Sequence, residues 1–408
     1  MWSLKPYKSP PSKCPKCLHE NAGFTKHIFT GVHILGEGAC GSCGTHYYHN
    51  WPIGHGAEFP ISFTNNGLAK YPPKAYHWMA KPLIESVKKG LRVTAQIRRE
   101  VKKKISQALL LNCLDPCYGH VIWKLFNTFH YQKVSTLQGV VVLIPESCAW
   151  MVPDHVAEIW AVEVPLRDIN FQIDSLDLFI EEVSGNYESL QLLPVSTHIN
   201  HQEIDYYQYF RTEPFRISEF SNKPLCVTFI WREDRFWLRS RLEEWFSFAA
   251  TKLSINWLRP WFLYRQLKAM VSIAKQVRLK LPSVRFKMTG LGTWGTLPEY
   301  FEDLRQQTMT DDLEKKWCQA YAQSHLVIGV HGSNMLIPTA HSAGFIELLP
   351  THKIPFISED ILMKHPARYQ IFLGRHLDIF TSSRSITMHI ISIFKDFSYL
   401  YKNTTVWS

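Results

Sequence analysis

The chain has 408 residues, of which 46% are hydrophobic and 20% charged, so it can build two or three cored domains; this composition excludes a disordered or collagen-like protein. Lys and Arg number 45 against 35 Asp and Glu, a formal net charge of +10 that suits phosphate-rich partners: nucleotides, nucleic acid or an anionic membrane face. No stretch reaches the roughly 18 apolar residues that a membrane-spanning helix needs, and the first residues lack the apolar core of a signal peptide, so a cytoplasmic location is expected.

Nine cysteines are too few for a disulfide scaffold in a chain of this length and point to thiols or metal ligands. Cys14-Pro-Lys-Cys17 and Cys40-Gly-Ser-Cys43 form two CxxC knuckles 22 residues apart, close to the usual two-knuckle zinc pattern. Four thiolates fill a tetrahedral ion and leave no position for a catalytic water, so the expected metal is a structural zinc stapling a ribbon within residues 1–55. His46 and His49 follow the second knuckle and could replace a cysteine, although nearby histidines are more often bystanders. Cys113, Cys117, Cys148, Cys226 and Cys318 sit in apolar settings and read as core residues or plain thiols.

Residues 56–107 read as a connector ending in a basic amphipathic helix over 83–108. Val87, Leu91, Ile97, Val101 and Ile105 fall near a period of 3.6, with Lys88, Lys89, Arg92, Arg98, Arg99 and Lys102–Lys104 on the other faces. Such a helix covers a neighbouring domain or rests on an anionic membrane surface. No aromatic residues interleave the charges, which disfavours nucleic acid as a partner.

From residue 108 short apolar runs alternate with helical stretches. The expected strands are 109–114, 139–145, 158–166 and 187–195, with helices over 121–131 and 175–183. Polar residues with Pro214 and Pro224 mark the connection over 196–224, and a second alternating series follows. Its strands are expected at 225–231, 284–289, 326–330 and 345–349, and its helices at 259–281, 298–306, 311–324 and from Asn334. Strand–helix alternation means parallel sheets with helices on both faces. The predicted fold is α/β, with two Rossmann-like halves facing across a cleft: an acceptor-side domain over 108–210 and a donor-binding domain over 211–380. A C-terminal helix in 381–408 is expected to pack back on the first half.

The most informative run is Leu326–Pro350. A strand ends in His331-Gly332-Ser333-Asn334, a helix begins, and a second strand carries Glu347 near its end. Gly332 allows a close turn, Ser333 or Asn334 can cap the helix, and the free amides there suit a phosphate. Glu347 is placed to accept hydrogen bonds from ribose hydroxyls. This run, GVHGSNML followed by FIELLP, resembles the donor-site motif of glycosyltransferase family 61, which reads roughly G-x-H-G-A-G-L-x-N, then an apolar run and E-x-x-P. The specific likeness covers about residues 311–350, with looser architectural agreement over 108–400. Ser333-Asn334-Met335 stands where the family has Ala-Gly-Leu-x-Asn, so the loop is shorter. The resemblance implies a GT-B fold, a nucleotide-sugar donor, inversion at the anomeric centre and no obligatory catalytic metal. It makes His331, Gly332, Ser333, Asn334 and Glu347 donor-site candidates.

Two further stretches bear on the donor. Arg232 and Arg235 follow a strand end, where they could hold a diphosphate leaving group of a UDP- or GDP-linked sugar; alternatively, they form a surface cluster with Glu233 and Asp234. Gly290 and Gly292 lie in a loop that either flanks the nucleotide base or is a plain turn. An inverting transfer needs a general base. His120, in the first strand–helix turn, is the first candidate, with Asp115 to orient it or act in its place, and Glu233 and Asp234 next. The leading reading is thus a glycosyltransferase acting on a glycan or a lipid-linked saccharide. Its rivals are a fucosyl or pyruvyl transferase on the same fold, a nucleic-acid- or protein-binding module built on the zinc ribbon, and an inactive relic that only binds.

Overall fold

The computed structural model describes residues 2–21, 24–134, 138–196, 199–253, 255–357, 359–362, 364–365 and 367–405. The chain forms two compact units, Met1–Asn200 and His201–Ser408.

In the first unit, β1 (Trp2–Lys5) is followed by a meander of β2 (Phe24–Thr30), β3 (His33–Ala39), β4 (His46–Asn50), β5 (Ser62–Phe63) and β6 (Ala69–Lys70), antiparallel throughout. Helix α1 (Lys81–Lys88) covers it, burying Leu83 and Ile84 with Ile28, Leu35 and Phe63. The central sheet comprises β7 (Gln96–Val101), β8 (Gln107–Asn112), β9 (Gly139–Pro145), β10 (Glu158–Glu163) and β11 (Ser189–Leu192), with α2 (Tyr118–Val134) and α3 (Asp174–Ser184) as the helices. Its order is β1-β11-β8-β9-β10-β7; the four inner strands run parallel and both edge strands antiparallel. The inner runs are almost wholly apolar, as strands covered on both faces must be.

The amphipathic helix expected over 83–108 is not formed. Helix α1 stops at Lys88, and Gly90, at φ 58°, takes the left-handed position beyond a helix end that glycine tolerates best. The chain then becomes β7, paired residue by residue from Gln96↔Glu163 to Val101↔Glu158. Ile97 and Val101 satisfy a helical period by accident, and strand pairing outweighs it. Two charges of that stretch are paired locally: Arg98 bonds Glu146 at 2.9 Å and Arg99 bonds the buried Glu158 at 2.9 Å.

The second unit holds one six-stranded parallel sheet. Its strands are β12 (Cys226–Trp231), β13 (Arg285–Gly290), β14 (Phe301–Asp303), β15 (Leu326–Val330), β16 (Gly344–Leu349) and β17 (Gly374–Asp378), in the order β14-β13-β12-β15-β16-β17. Numbered within the unit this is 3-2-1-4-5-6, the doubly wound order, which reverses between β12 and β15. Its helices include α4 (Arg241–Lys252), α5 (Arg259–Lys280), α6 (Asp311–Ala322), α7 (Leu336–His341) and α8 (Ser383–Thr405). Helix α6 starts on Thr310, whose hydroxyl accepts the Leu313 amide at 3.2 Å, with Asp311, Asp312 and Glu314 in its first turn against the positive helix end.

Two expectations are corrected here. The stretch 298–306 carries the short strand β14, whose Phe301 registers with Phe286 of β13; the apolar pair holds it in the sheet. The C-terminal helix α8 buries Ile386, Ile390, Ile393 and Phe397 in the second unit's own core with Phe220, Ile273 and Val277, where the sequence reading sent it to the first half.

Two core histidines of this unit make its stability depend on pH. His325 and His341 are fully buried, and burial pushes their imidazoles down to about 4 and about 3. Unfolded, each takes up a proton near its ordinary 6.5, so below that pH the unfolded chain binds more protons and stability falls as pH falls. Between about pH 6.5 and 5, above the carboxylate range, each should remove up to ~1.4 kcal/mol per pH unit. A melting temperature that stays flat over this interval would show that they do not act this way.

Candidate functional site

The cysteines assemble from two copies of one turn. Cys14 and Cys17 lie between the short strands Ser12–Lys13 and Glu20–Asn21, and Cys40 and Cys43 between β3 and β4. In each knuckle the amide four residues on returns to the first cysteine's carbonyl: Leu18 to Cys14 at 3.0 Å and Gly44 to Cys40 at 2.8 Å. Leu18 and Gly44 share positive φ values of 63° and 68°. All four Sγ atoms lie within 4.8 Å of one another, with Cys14–Cys43 at 3.7 Å and Cys17–Cys40 at 3.6 Å. A tetrahedral zinc with bonds of about 2.3 Å requires S···S edges of about 3.8 Å, so the donor set fits that ion. Hydrogen bonds from Thr45 lower the Cys43 thiol to about 6, which favours a thiolate. His46 pairs with Glu37 at 3.6 Å and His49 with Ser62 at 2.8 Å, so neither joins the cluster.

The first unit's sheet also reverses its order, between β11 and β8, and the loop leaving β8 carries Asp115. Asp115 is buried. Its Oδ1 lies 3.2 Å from His120 Nδ1 and its Oδ2 2.9 Å from the buried Lys124 ammonium. Burial alone would raise this carboxyl; Lys124 first, then His120 and the Cys117 amide, reverse that and hold it well below the usual carboxylate range. Asp115 is therefore a fixed anion that orients His120, whose side chain is 37% exposed. The His55 ring lies 6.0 Å from that of His120. His33, on the β2–β3 hairpin, is held down to about 3 by desolvation, then by Lys124 and His55. Asn112 anchors that hairpin through the Gly31 carbonyl at 3.0 Å, while Asn127 of α2 clamps the chain after β11 through Ser196. Asp115 and His120 were legible in the sequence. Lys124 and His55 were not, because nothing in a single helix turn or a distant loop marks a partner.

In the second unit, Arg232 and Arg235 follow β12, and His331 and Gly332 follow its neighbour β15, at the point where the strand order reverses. Arg232 Nη1 donates to Asn334 Oδ1, and Arg235 Nη1 to the His331 carbonyl. Gly332 has φ 151°, and a Cβ there would stand 2.6 Å from Arg235 Nη1 and 2.7 Å from Arg232 Nη1. Glycine is thus required for two guanidinium groups to converge on one stretch of backbone. Desolvation raises the Asp234 carboxyl, but hydrogen bonds and charge from Arg232, with Nε at 2.9 Å, bring it below its usual range. Glu233 is an internal tether: it accepts from the Trp231 indole at 3.2 Å and the Trp294 amide at 3.1 Å, and pairs with Arg259 at 2.9 Å. Gly290 and Gly292 press their loop against this segment, since added Cβ atoms would lie 2.1 Å from the Trp231 carbonyl and from Glu233 Oε1.

Behind the loop lies a buried chain of acids and imidazoles. His331 Nδ1 is 3.0 Å from Glu347 Oε1, its Nε2 3.0 Å from Asp360, and Glu347 Oε2 is 3.1 Å from His376 Nδ1, in contacts that are close but poorly aligned as hydrogen bonds. Burial pushes the Asp360 carboxyl up. Glu347 and His331 are fully buried. Glu347 thus has no face for a ribose and instead holds His331. Nor do Ser333 and Asn334 cap a long helix: a 3₁₀ turn over Ser333–Met335 leads into the six-residue α7, and neither start carries a side-chain cap. Asn334 spends its carbonyl on Arg232, so the positive face presented here comes from the two guanidinium groups. Asp360 and His376 went unnoticed in the sequence, one on an irregular loop and the other in β17, which periodicity did not reveal. Glu347→Ala should destabilise the unit by about 3 kcal/mol, because it strips the shared partner from two imidazoles. Thermal unfolding checks this, and an unchanged midpoint would mean that the trio does not support the fold.

Comparison with known protein families finds no match, and none is found among curated proteins. A solved structure described as "Crystal structure of GtfA/B complex" aligns with 89% of this chain, at 10% identity and a TM-score of 0.25. The chain spans 63% of that neighbour's length. A likeness this slight carries no argument.

Proposed function

We propose that the protein is a glycosyltransferase that moves a sugar from a nucleotide donor to a hydroxyl of a glycan or lipid-linked saccharide, with the second unit as donor side and the first as acceptor side. The observation that carries this reading is the convergence of Arg232 and Arg235 over Gly332 at the reversal point of a doubly wound sheet, where such folds take their ligands. Two guanidinium groups there can grip a diphosphate and offset the charge it gains as the glycosidic bond breaks. In the balanced step, the acceptor oxygen gives its proton to a general base and bonds the anomeric carbon, and the nucleoside diphosphate departs with the electron pair of the broken C–O bond; His120 is the candidate base that the first unit offers. Asp115 keeps His120 oriented and offsets the charge it acquires. The cysteine cluster, in this reading, holds a structural zinc that braces the β2–β6 sheet and so the hairpin packed beside Asn112.

A thermal-shift panel with UDP, GDP, CDP, CMP and their sugar conjugates tests the donor site. One base should stabilise the protein selectively, and Arg232→Ala should weaken that ligand about 10- to 100-fold, the worth of a lost charge-assisted contact. No shift with any nucleotide, or an unchanged affinity in the variant, would refute the donor assignment.

A further inference from the structure

The most unusual surface of the molecule lies on α4 and the start of α5, whose Arg259 pairs with Glu233 at 2.9 Å. Helix α4 is amphipathic with its faces reversed. Glu243 is buried along with the small Ala250, and is tied to the Arg239 amide at 2.7 Å and to Arg265 at 2.5 Å. The apolar stripe points outward: Leu242 is 70% exposed, Trp245 63%, Phe248 67% and Leu253 67%, with Phe246 beside them. The surface continues past the helix through Trp257, 77% exposed, to Trp261 and Tyr264 on the first turns of α5. Monomeric proteins rarely leave so many large side chains contiguous and bare unless something covers them.

The charge on this surface selects the occupant. Residues 239–268 contain six basic side chains against two acidic ones; Arg265 pairs with Glu243 and Arg259 with Glu233, which leaves Arg239, Arg241, Lys252 and Lys268 against Glu244. A two-fold contact between copies would bring these like charges together. An anionic lipid surface instead meets both parts of the pattern: tryptophan and tyrosine settle at the headgroup level, phenylalanine and leucine enter the acyl boundary, and the basic side chains reach lipid phosphates. We infer that the α4–α5 segment is a membrane-docking surface that seats the second unit on anionic phospholipid. No helix among the described residues is long and apolar enough to cross a membrane, so the contact is with the interface alone. This inference does not depend on the donor reading.

Flotation of the full chain with phosphatidylcholine vesicles, with and without phosphatidylglycerol, tests it. Binding is expected only with phosphatidylglycerol, accompanied by a blue shift of tryptophan emission, and should weaken as salt is raised. Replacing Trp245, Phe246 and Phe248 together by serine should cut partitioning on the order of a hundred-fold. Because these side chains are exposed, the unfolding midpoint should hold. A second variant, Arg241→Gln with Lys252→Gln, keeps the apolar stripe and should lose about five-fold per charge removed. No flotation of the wild type, or flotation indifferent to both variants, overturns the inference. So does a dimer in sedimentation that the serine variant dissociates, which would assign the surface to a second copy.

Discussion

Replacement of His120 by alanine should lower the transfer rate about 10²- to 10⁴-fold, the usual worth of a positioned general base, and leave nucleotide affinity unchanged. The split follows from the proposed roles: His120 belongs to the first unit and the arginine loop to the second, so loss of the base should fall on kcat. Asp115→Asn acts differently. It also leaves the buried Lys124 without its carboxylate, and breaking a buried pair costs about 3–5 kcal/mol, so both the melting point and the rate should drop. The sign with pH is fixed as well. Asp115 is held below its unfolded range, so its contribution to stability is fully present above about pH 4 and fades only as pH falls below that. Wild-type transfer rates in His120→Ala would remove this residue from the chemistry, whatever the donor proves to be.

Removal of the metal should have an effect of similar weight on folding. The cysteine module has little core of its own: Phe24 and Tyr47 pack with Cys14 and Cys40, and little else is buried there. A zinc held there would supply folding energy that apolar burial cannot; structural zinc binds zinc-finger peptides with about 10–16 kcal/mol. Cys40→Ser, or prolonged chelation, should lower the melting temperature on the order of 10 °C, with the β2–β6 sheet opening first in hydrogen exchange. Elemental analysis of protein purified without chelators should find one zinc per chain. Protein that purifies without metal, or a midpoint unmoved by both chelation and Cys40→Ser, would sink the assignment, and a coloured tetrathiolate would replace zinc by iron.

The surface proposed to meet lipid differs from the stretch the sequence offered for a physical reason. Over 83–108 the expected helix gives way to a strand, on which Arg98 pairs with Glu146 and Arg99 with Glu158, so the basic residues do not line one helical face. Over 241–268 the sequence carries the same mix of bulk and charge, but a helical period shows only that one face is apolar. Whether that face turns inward is settled by Glu243, which finds Arg265 and the Arg239 amide in the interior and leaves the tryptophans outside.

The sequence by itself determined the local chemistry. The two CxxC knuckles, the alternation of apolar runs with helices, the glycine after His331 and the arginines after Trp231 are all short-range patterns, set by steric freedom, side-chain period and ligand spacing within a few residues. Tertiary structure alone decided which of these groups meet. The order β14-β13-β12-β15-β16-β17 brings residue 232 beside residue 332, and parallel register sets Glu347 opposite His376. It also withdrew Glu347 and Glu233 from solvent and made them supports. A carboxylate's role depends on the charges and the water around it, and those come from strands and loops far along the chain, where no local pattern reaches.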